Sequence, residues 1–196
     1  MWSLGRSSSV VPSSLPVDFD QAVAEQLYRP LVARYATFYF GLPPPVPLIM
    51  GQIMQESRFD AKARSRTGAL GPMQFMPQTA TWAATAGSFG PAQPADPVWA
   101  VRAGIWYDRF LFDRVVYADD CHRWGAALSS YNGGLGWHNK RQLAANDPFD
   151  FWGSVRVVNP GITVGNQKEN QEYPHRIVYK HQLQFVRVGD RKVCIN

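Results

Sequence analysis

Apolar residues recur at three- to four-residue spacing in several stretches of the chain, and clusters of proline and glycine separate those stretches. The strongest spans residues 48–56. There Ile49, Met50, Ile53 and Met54 fall on one helical face, and Pro45 and Pro47 stand where a helix tolerates proline, at its start. Residues 18–40 predict a helix with Asp18 or Asp20 as N-cap, Val23, Leu27, Leu31 and Tyr35 as its apolar stripe, and a kink at Pro30. Pro77 suits the first position of a helix over residues 77–86. Asp96-Pro97 is a cap followed by a first-turn proline, opening a helix to about residue 117 with Val101, Ile105, Phe112 and Val116 facing inward. Residues 123–131 predict a helix stopped by Gly133-Gly134, 137–145 a short one, and 169–186 a closing one. Residues 151–165 are the least helical and predict a hairpin or lid, and the tail 187–196 is left open. The Ser/Pro-rich segment 1–17 is expected to be extended. No repeat or linker divides the rest of the chain, so residues 18–196 read as one domain.

Composition sharpens this outline. A chain of 196 residues with 45% hydrophobic and 13% aromatic content can bury a core and is not a disordered polymer. Its net charge of +5 favours anionic partners: nucleic acid, anionic lipid or the polymers of a bacterial envelope. No dense Lys/Arg block interleaved with aromatics occurs, which argues against nucleic acid. No apolar run has the length of a membrane span, so stable insertion is not expected. The first twenty residues lack a basic start and an apolar core, so no secretory leader is expected. Cys121 and Cys194 are too few for a disulfide framework and too isolated for a metal site; paired and unpaired states both remain open. His122, His138, His175 and His181 lack metal-ligand spacing and read as packing or surface residues, so no metal or cofactor is expected.

The candidate chemistry lies at Glu56, where the apolar stretch gives way to the polar run Ser57-Arg58-Phe59-Asp60. A carboxyl at that boundary is half desolvated. Desolvation disfavours the charged form and keeps a glutamic acid protonated near neutral pH, ready to act as a general acid. Gly68 and Gly71 then allow tight turns that could aim Met73-Gln74 back at the same place.

Four blocks stand in order across residues 47–180. They are Glu56-Ser57; Gly68-Ala69-Leu70-Gly71-Pro72-Met73-Gln74 with Met76-Pro77-Gln78-Thr79-Ala80; Ala127-Leu128-Ser129-Ser130-Tyr131-Asn132-Gly133-Gly134; and Glu169 through Tyr173 to Ile177. Together they resemble the catalytic domain of the soluble lytic transglycosylases. The resemblance implies an α+β, predominantly α-helical, lysozyme-like single domain of the goose-type class, with a small β element or loop formed by the glycine-bearing segment. It implies cleavage of the MurNAc–GlcNAc β-1,4 bond of peptidoglycan by a monomer, without cofactor, leaving 1,6-anhydroMurNAc ends. Glu56 would be the sole acid/base, and Ser57, Met73, Gln74, Tyr131, Asn132 and Glu169 would line the saccharide site. Asp60 is read as structural, capping a turn or pairing with Arg64 or Arg66. The tryptophans Trp82, Trp99, Trp106, Trp124, Trp137 and Trp152 offer stacking faces, most of them expected inside. Pro72, Gly133, Asn170 and Pro174 depart from the family's usual residues. With no leader expected, the chain reads as made in the cytoplasm and acting in the wall or periplasm, as a phage endolysin released by a holin or carried in the virion; a bacterial enzyme whose export signal was missed or removed is the alternative origin. The rival readings are a hydrolytic muramidase and a catalytically inactive wall-binding or virion structural protein.

Overall fold

The computed structural model describes residues 21–194. The capping expected of Asp18 or Asp20, the segment 1–17 and the side chain of Val23 lie outside the described residues. The chain opens with α1 (Gln21–Val23), a π-helical turn (Ala24–Tyr28) and α2 (Arg29–Phe40). Pro30 sits in the first turn of α2, so the expected kink takes the form of the wide turn just before it. The buried stripe is Ala24, Tyr28, Val32 and Ala36, one position later than the pattern suggests, and Leu27 is 61% exposed.

At the centre lies α3 (Val46–Ser57). The sequence pattern gave it one apolar face, yet every residue from Val46 to Ile53 is buried. Leu48 belongs to one apolar cluster, while Ile49, Met50 and Ile53 belong to another. Helices pack on all sides of α3, so no side of it needs to be polar. At Gly51 an added Cβ would come within 2.8 Å of the Gln182 backbone nitrogen, and glycine lets the C-terminal segment run directly against the helix.

α4 (Pro77–Ala86) and α5 (Pro97–Phe112) follow the sequence signals, and the Asp96 carboxylate accepts from Trp99 N at 2.7 Å. α5 ends five residues before the expected boundary; Val115 is then buried and Val116 is 67% exposed. α6 (Asp120–Gly133) and α7 (Leu135–Ala144) meet at Gly134. Residues 151–165 form neither a hairpin nor a free lid. They hold a 3₁₀ turn (Val155–Val157), and Val158 O accepts from buried Arg141 at 3.2 Å and from Gln167 at 2.9 Å. α8 (Val164–Arg176) begins earlier than expected because the Thr163 hydroxyl caps it. It then relaxes into a π turn (Ile177–His181) and a 3₁₀ turn (Gln182–Phe185), just after Pro174 has removed a backbone donor.

A disulfide joins Cys121 to Cys194, which resolves the pairing that the sequence left open. The described part of the tail is held at several points: the Gln182 side chain bonds both N and O of Val193, and Arg191 pairs with Asp120. The expected β element is reduced to two isolated bridges, Arg64 to Leu70 and Leu70 to Phe75.

Candidate active site

Glu56 occupies the last turn of α3. The helix stops there because Arg58 (φ 55°) and Phe59 (φ 66°) both take left-handed backbone, with Phe59 buried and its carbonyl accepting from Tyr28 Oη at 2.9 Å. Two adjacent non-glycine residues in that region store strain, which the surrounding packing holds. Beyond this turn a loop over residues 60–76 folds back on α3. Ser57 Oγ donates to Pro72 O at 2.9 Å and ties the loop to the helix end. Gly71 carries φ +73°, and a Cβ there would lie 1.6 Å from Pro94 O, so glycine permits this docking.

Glu56 is 8% exposed, and Tyr173 Oη, on α8, donates to its Oε1. Burial pushes the Glu56 carboxyl up to about 8; the Tyr173 hydrogen bond opposes this, and the charges of Asp108 and Glu169 add to it. The acid is therefore protonated at neutral pH. Burial likewise holds the Tyr131 and Tyr173 phenols well above 10, so both are neutral donors.

Around this carboxyl the sequence-expected residues come from separate elements. Tyr131, near the end of α6, donates from Oη to Met73 O at 2.9 Å and is half-buried. Asn132 donates to Glu169 Oε1 at 3.5 Å and accepts from Asn170 at 3.0 Å, linking α6 to α8. Gln74 turns inward: its amide donates to Gly71 O at 2.8 Å and Ala63 O at 3.3 Å, bracing the loop. The Met73 side chain is fully buried against Gly104, so what it presents on this side is its carbonyl. Asp60 is exposed and accepts from Lys62 N at 2.8 Å, a turn contact. Among the tryptophans, Trp99 and Trp124 are buried; Trp82 packs on Tyr107, whose ring lies 5.7 Å from it and 5.2 Å from Tyr131. No group of three or more His, Cys, Asp or Glu among the described residues is placed to hold a metal ion.

Residue-by-residue reading did not place Tyr173, Asn170, Gln52 or Asp108 in this neighbourhood. Each had a signal. Tyr173 follows Glu169 by one helical turn, and Asp108 falls in the inward register of Val101, Ile105 and Phe112.

Residues 42–150 match the family model described as the transglycosylase SLT domain. The chain is 32% identical over 111 residues to membrane-bound lytic murein transglycosylase F of Shewanella denitrificans, covering 54% of this chain and 21% of that protein. It is 32% identical over 144 residues to membrane-bound lytic murein transglycosylase F 2 of Alkalilimnicola ehrlichii, covering 69% and 30%. It thus spans less than a third of the length of these relatives. Among solved structures it resembles the 70 kDa soluble lytic transglycosylase of Escherichia coli, with a TM-score of 0.54 at 24% identity over 77% of this chain and 23% of that one. An inactive mutant of lytic transglycosylase Slt from Pseudomonas aeruginosa aligns with a TM-score of 0.59 at 22% identity over 78% and 23%. These two likenesses bear on the fold.

Proposed function

The chain belongs to the transglycosylase SLT domain family, and on that premise we propose that it is a peptidoglycan lytic transglycosylase with Glu56 as its acid and base. The observation that carries this reading is the buried, protonated Glu56 at the end of α3, held by the Tyr173 hydroxyl. Glu56 gives its proton to the glycosidic oxygen between MurNAc and GlcNAc. The C1–O bond breaks, and the sugar's own N-acetyl group stabilises the oxocarbenium-like centre. The deprotonated Glu56 then takes the proton of the muramyl 6-hydroxyl, whose oxygen closes on C1 to form the 1,6-anhydro ring. One group serves as acid and then base, which suits a carboxyl titrating near the working pH. Tyr131 and Asn132 stand on the α6 side of the same carboxyl, Glu169 lies across from Asn132 on α8, and Ser57 and Gln74 hold the loop that completes the cleft.

The disulfide between Cys121 and Cys194 supports action outside the cytoplasm, since such bonds persist in oxidising compartments. No helix among the described residues is long and apolar enough to cross a membrane.

The test is product analysis by mass spectrometry on purified peptidoglycan. Ends dominated by 1,6-anhydroMurNAc are expected, and Glu56→Gln should lower the rate about 10²–10⁴-fold. A hydrolytic muramidase needs a second carboxylate, and Glu169 is the one whose charge reaches Glu56 from the half-buried side. Products dominated by reducing-end MurNAc, abolished by Glu169→Gln, would make hydrolysis the correct reading.

A further inference from the structure

Behind Glu56 lies a buried carboxyl that the proposed reaction leaves unused. Gln52 stands one helical turn before Glu56 on the same face of α3, and its amide donates to Asp108 Oδ1 on α5 at 3.0 Å. Both side chains are fully buried. That single bond leaves Gln52 Oε1 and Asp108 Oδ2 buried without a donor. Two orphaned acceptors side by side are costly, and an ionised carboxylate with one neutral donor would be more so. A proton on Asp108 Oδ2 changes the count. The acid can donate to Gln52 Oε1 while Gln52 Nε2 donates to Oδ1, and both orphans are satisfied by one reciprocal pair.

We propose that Asp108 is a positioning residue for Glu56: a neutral carboxylic acid paired with the Gln52 carboxamide, which shares a single ionisation with the Glu56 carboxyl. Either group ionises readily only while the other remains protonated, because no cation among the described residues pairs with either to offset a second negative charge. The groups facing Asp108 are Gln52 and Glu56 from α3, Tyr107 from its own helix, Tyr131 from α6 and Tyr173 from α8, the last three neutral phenols. Glu169 of α8 faces Glu56 from the other side. α4 brings no titratable group; on α2, Arg29 is engaged with Glu25 and Asp190, and Arg34 is exposed. Burial keeps the Asp108 proton to about pH 8, with the Gln52 bond opposing. The consequence is a Glu56 proton retained further into the alkaline range than a solitary glutamic acid would manage there.

The role of Asp108 in catalysis rests on the transglycosylase reading, but the pairing itself can be tested without substrate. Carboxyl-¹³C NMR titration of the wild-type chain should show Asp108 protonated at about pH 6 and the two carboxyls titrating in two coupled steps. Asp108→Asn preserves the reciprocal pair through its own amide while removing the charge. Glu56 should then titrate in one step, and its midpoint should fall by about one pH unit, the scale of two unit charges several Å apart in a protein interior. The alkaline limb of activity on peptidoglycan should move down by the same amount. A merely structural role would lower activity or melting temperature without moving the limb. An Asp108 already ionised at pH 6, or a Glu56 midpoint that Asp108→Asn leaves in place, would overturn the proposal. If the protein cleaved no glycan at all, the titration would still decide the pairing.

Discussion

Glu56 is a neutral acid in the folded chain near pH 7 and a carboxylate in the unfolded one. Its folded pKa, about 8, lies above its ordinary 4.5. A raised acid contributes stability that is full below the unfolded value and is lost as pH rises through the folded value. The chain should therefore lose melting temperature between about pH 5 and pH 8.5. Glu56→Gln should flatten that slope and be the more stable protein at the alkaline end, as scanning calorimetry at the two pH values would show. Tyr173 acts in the opposite sense. Its hydroxyl favours the ionised form of Glu56, so Tyr173→Phe should move the alkaline limb of activity upward and cost about 1.5–3 kcal/mol of transition-state stabilisation, the worth of a hydrogen bond to a charged group. The two directions are diagnostic: Asp108→Asn moves the limb down and Tyr173→Phe moves it up. A pH–rate profile in which both variants move together would break this account of the site's electrostatics.

Among the elements, the loop over residues 60–76 is held by contacts that single substitutions can test. Isolated bridges join Leu70 to Arg64 and to Phe75, Ser57 holds it at one end and Gln74 braces it from within. Gly71 lets its turn sit directly on Pro94 O. Gly71→Ala imposes both a left-handed alanine and a steric overlap, together about 2–4 kcal/mol. The loop would lift away from Pro94 before the helices unpacked. Turbidity clearing of cell walls should therefore fall far more than the folded fraction measured by circular dichroism; an equal loss of both would mean that the loop and the helical core unfold as one unit. α6 and α8 are joined differently, through Asn170, which donates to Ser129 O and Asn132 Oδ1 and accepts from Ser129 Oγ. That network holds Asn132 and Glu169 on facing helices at a fixed separation.

For the whole molecule, the tail strap is the long-range constraint. The bond between Cys121 and Cys194 closes a loop with a sequence separation of 73. Chain entropy assigns such a crosslink about 4 kcal/mol. In a chain of this length that corresponds to about 10 °C in melting temperature. The Cys121→Ser/Cys194→Ser double variant should melt lower by that amount, and reduction of the native protein should reproduce the shift. A melting temperature unchanged by either would show that Gln182, Val193 and the Arg191–Asp120 pair hold the tail without the crosslink.

Local physics made much of this protein legible in its sequence. The Asp96-Pro97 start of α5, Pro77 opening α4 and the apolar run ending at Glu56 depend on caps, proline geometry and periodicity, all acting within a few residues. The four blocks, in order, carried the family. What the sequence left undecided depends on which faces meet. The buried stripe through α2 lies one position later than periodicity placed it, and α3 proved buried all round because helices surround it. Tyr173 and Glu56 stand 117 residues apart in the chain, Gln52 and Asp108 stand 56 apart, and no local pattern pairs them. A polar residue in an inward register signals only that a partner is needed. Which partner answers, and whether the pair carries a charge or a proton, is decided by the packing that brings the two helices together and keeps water out.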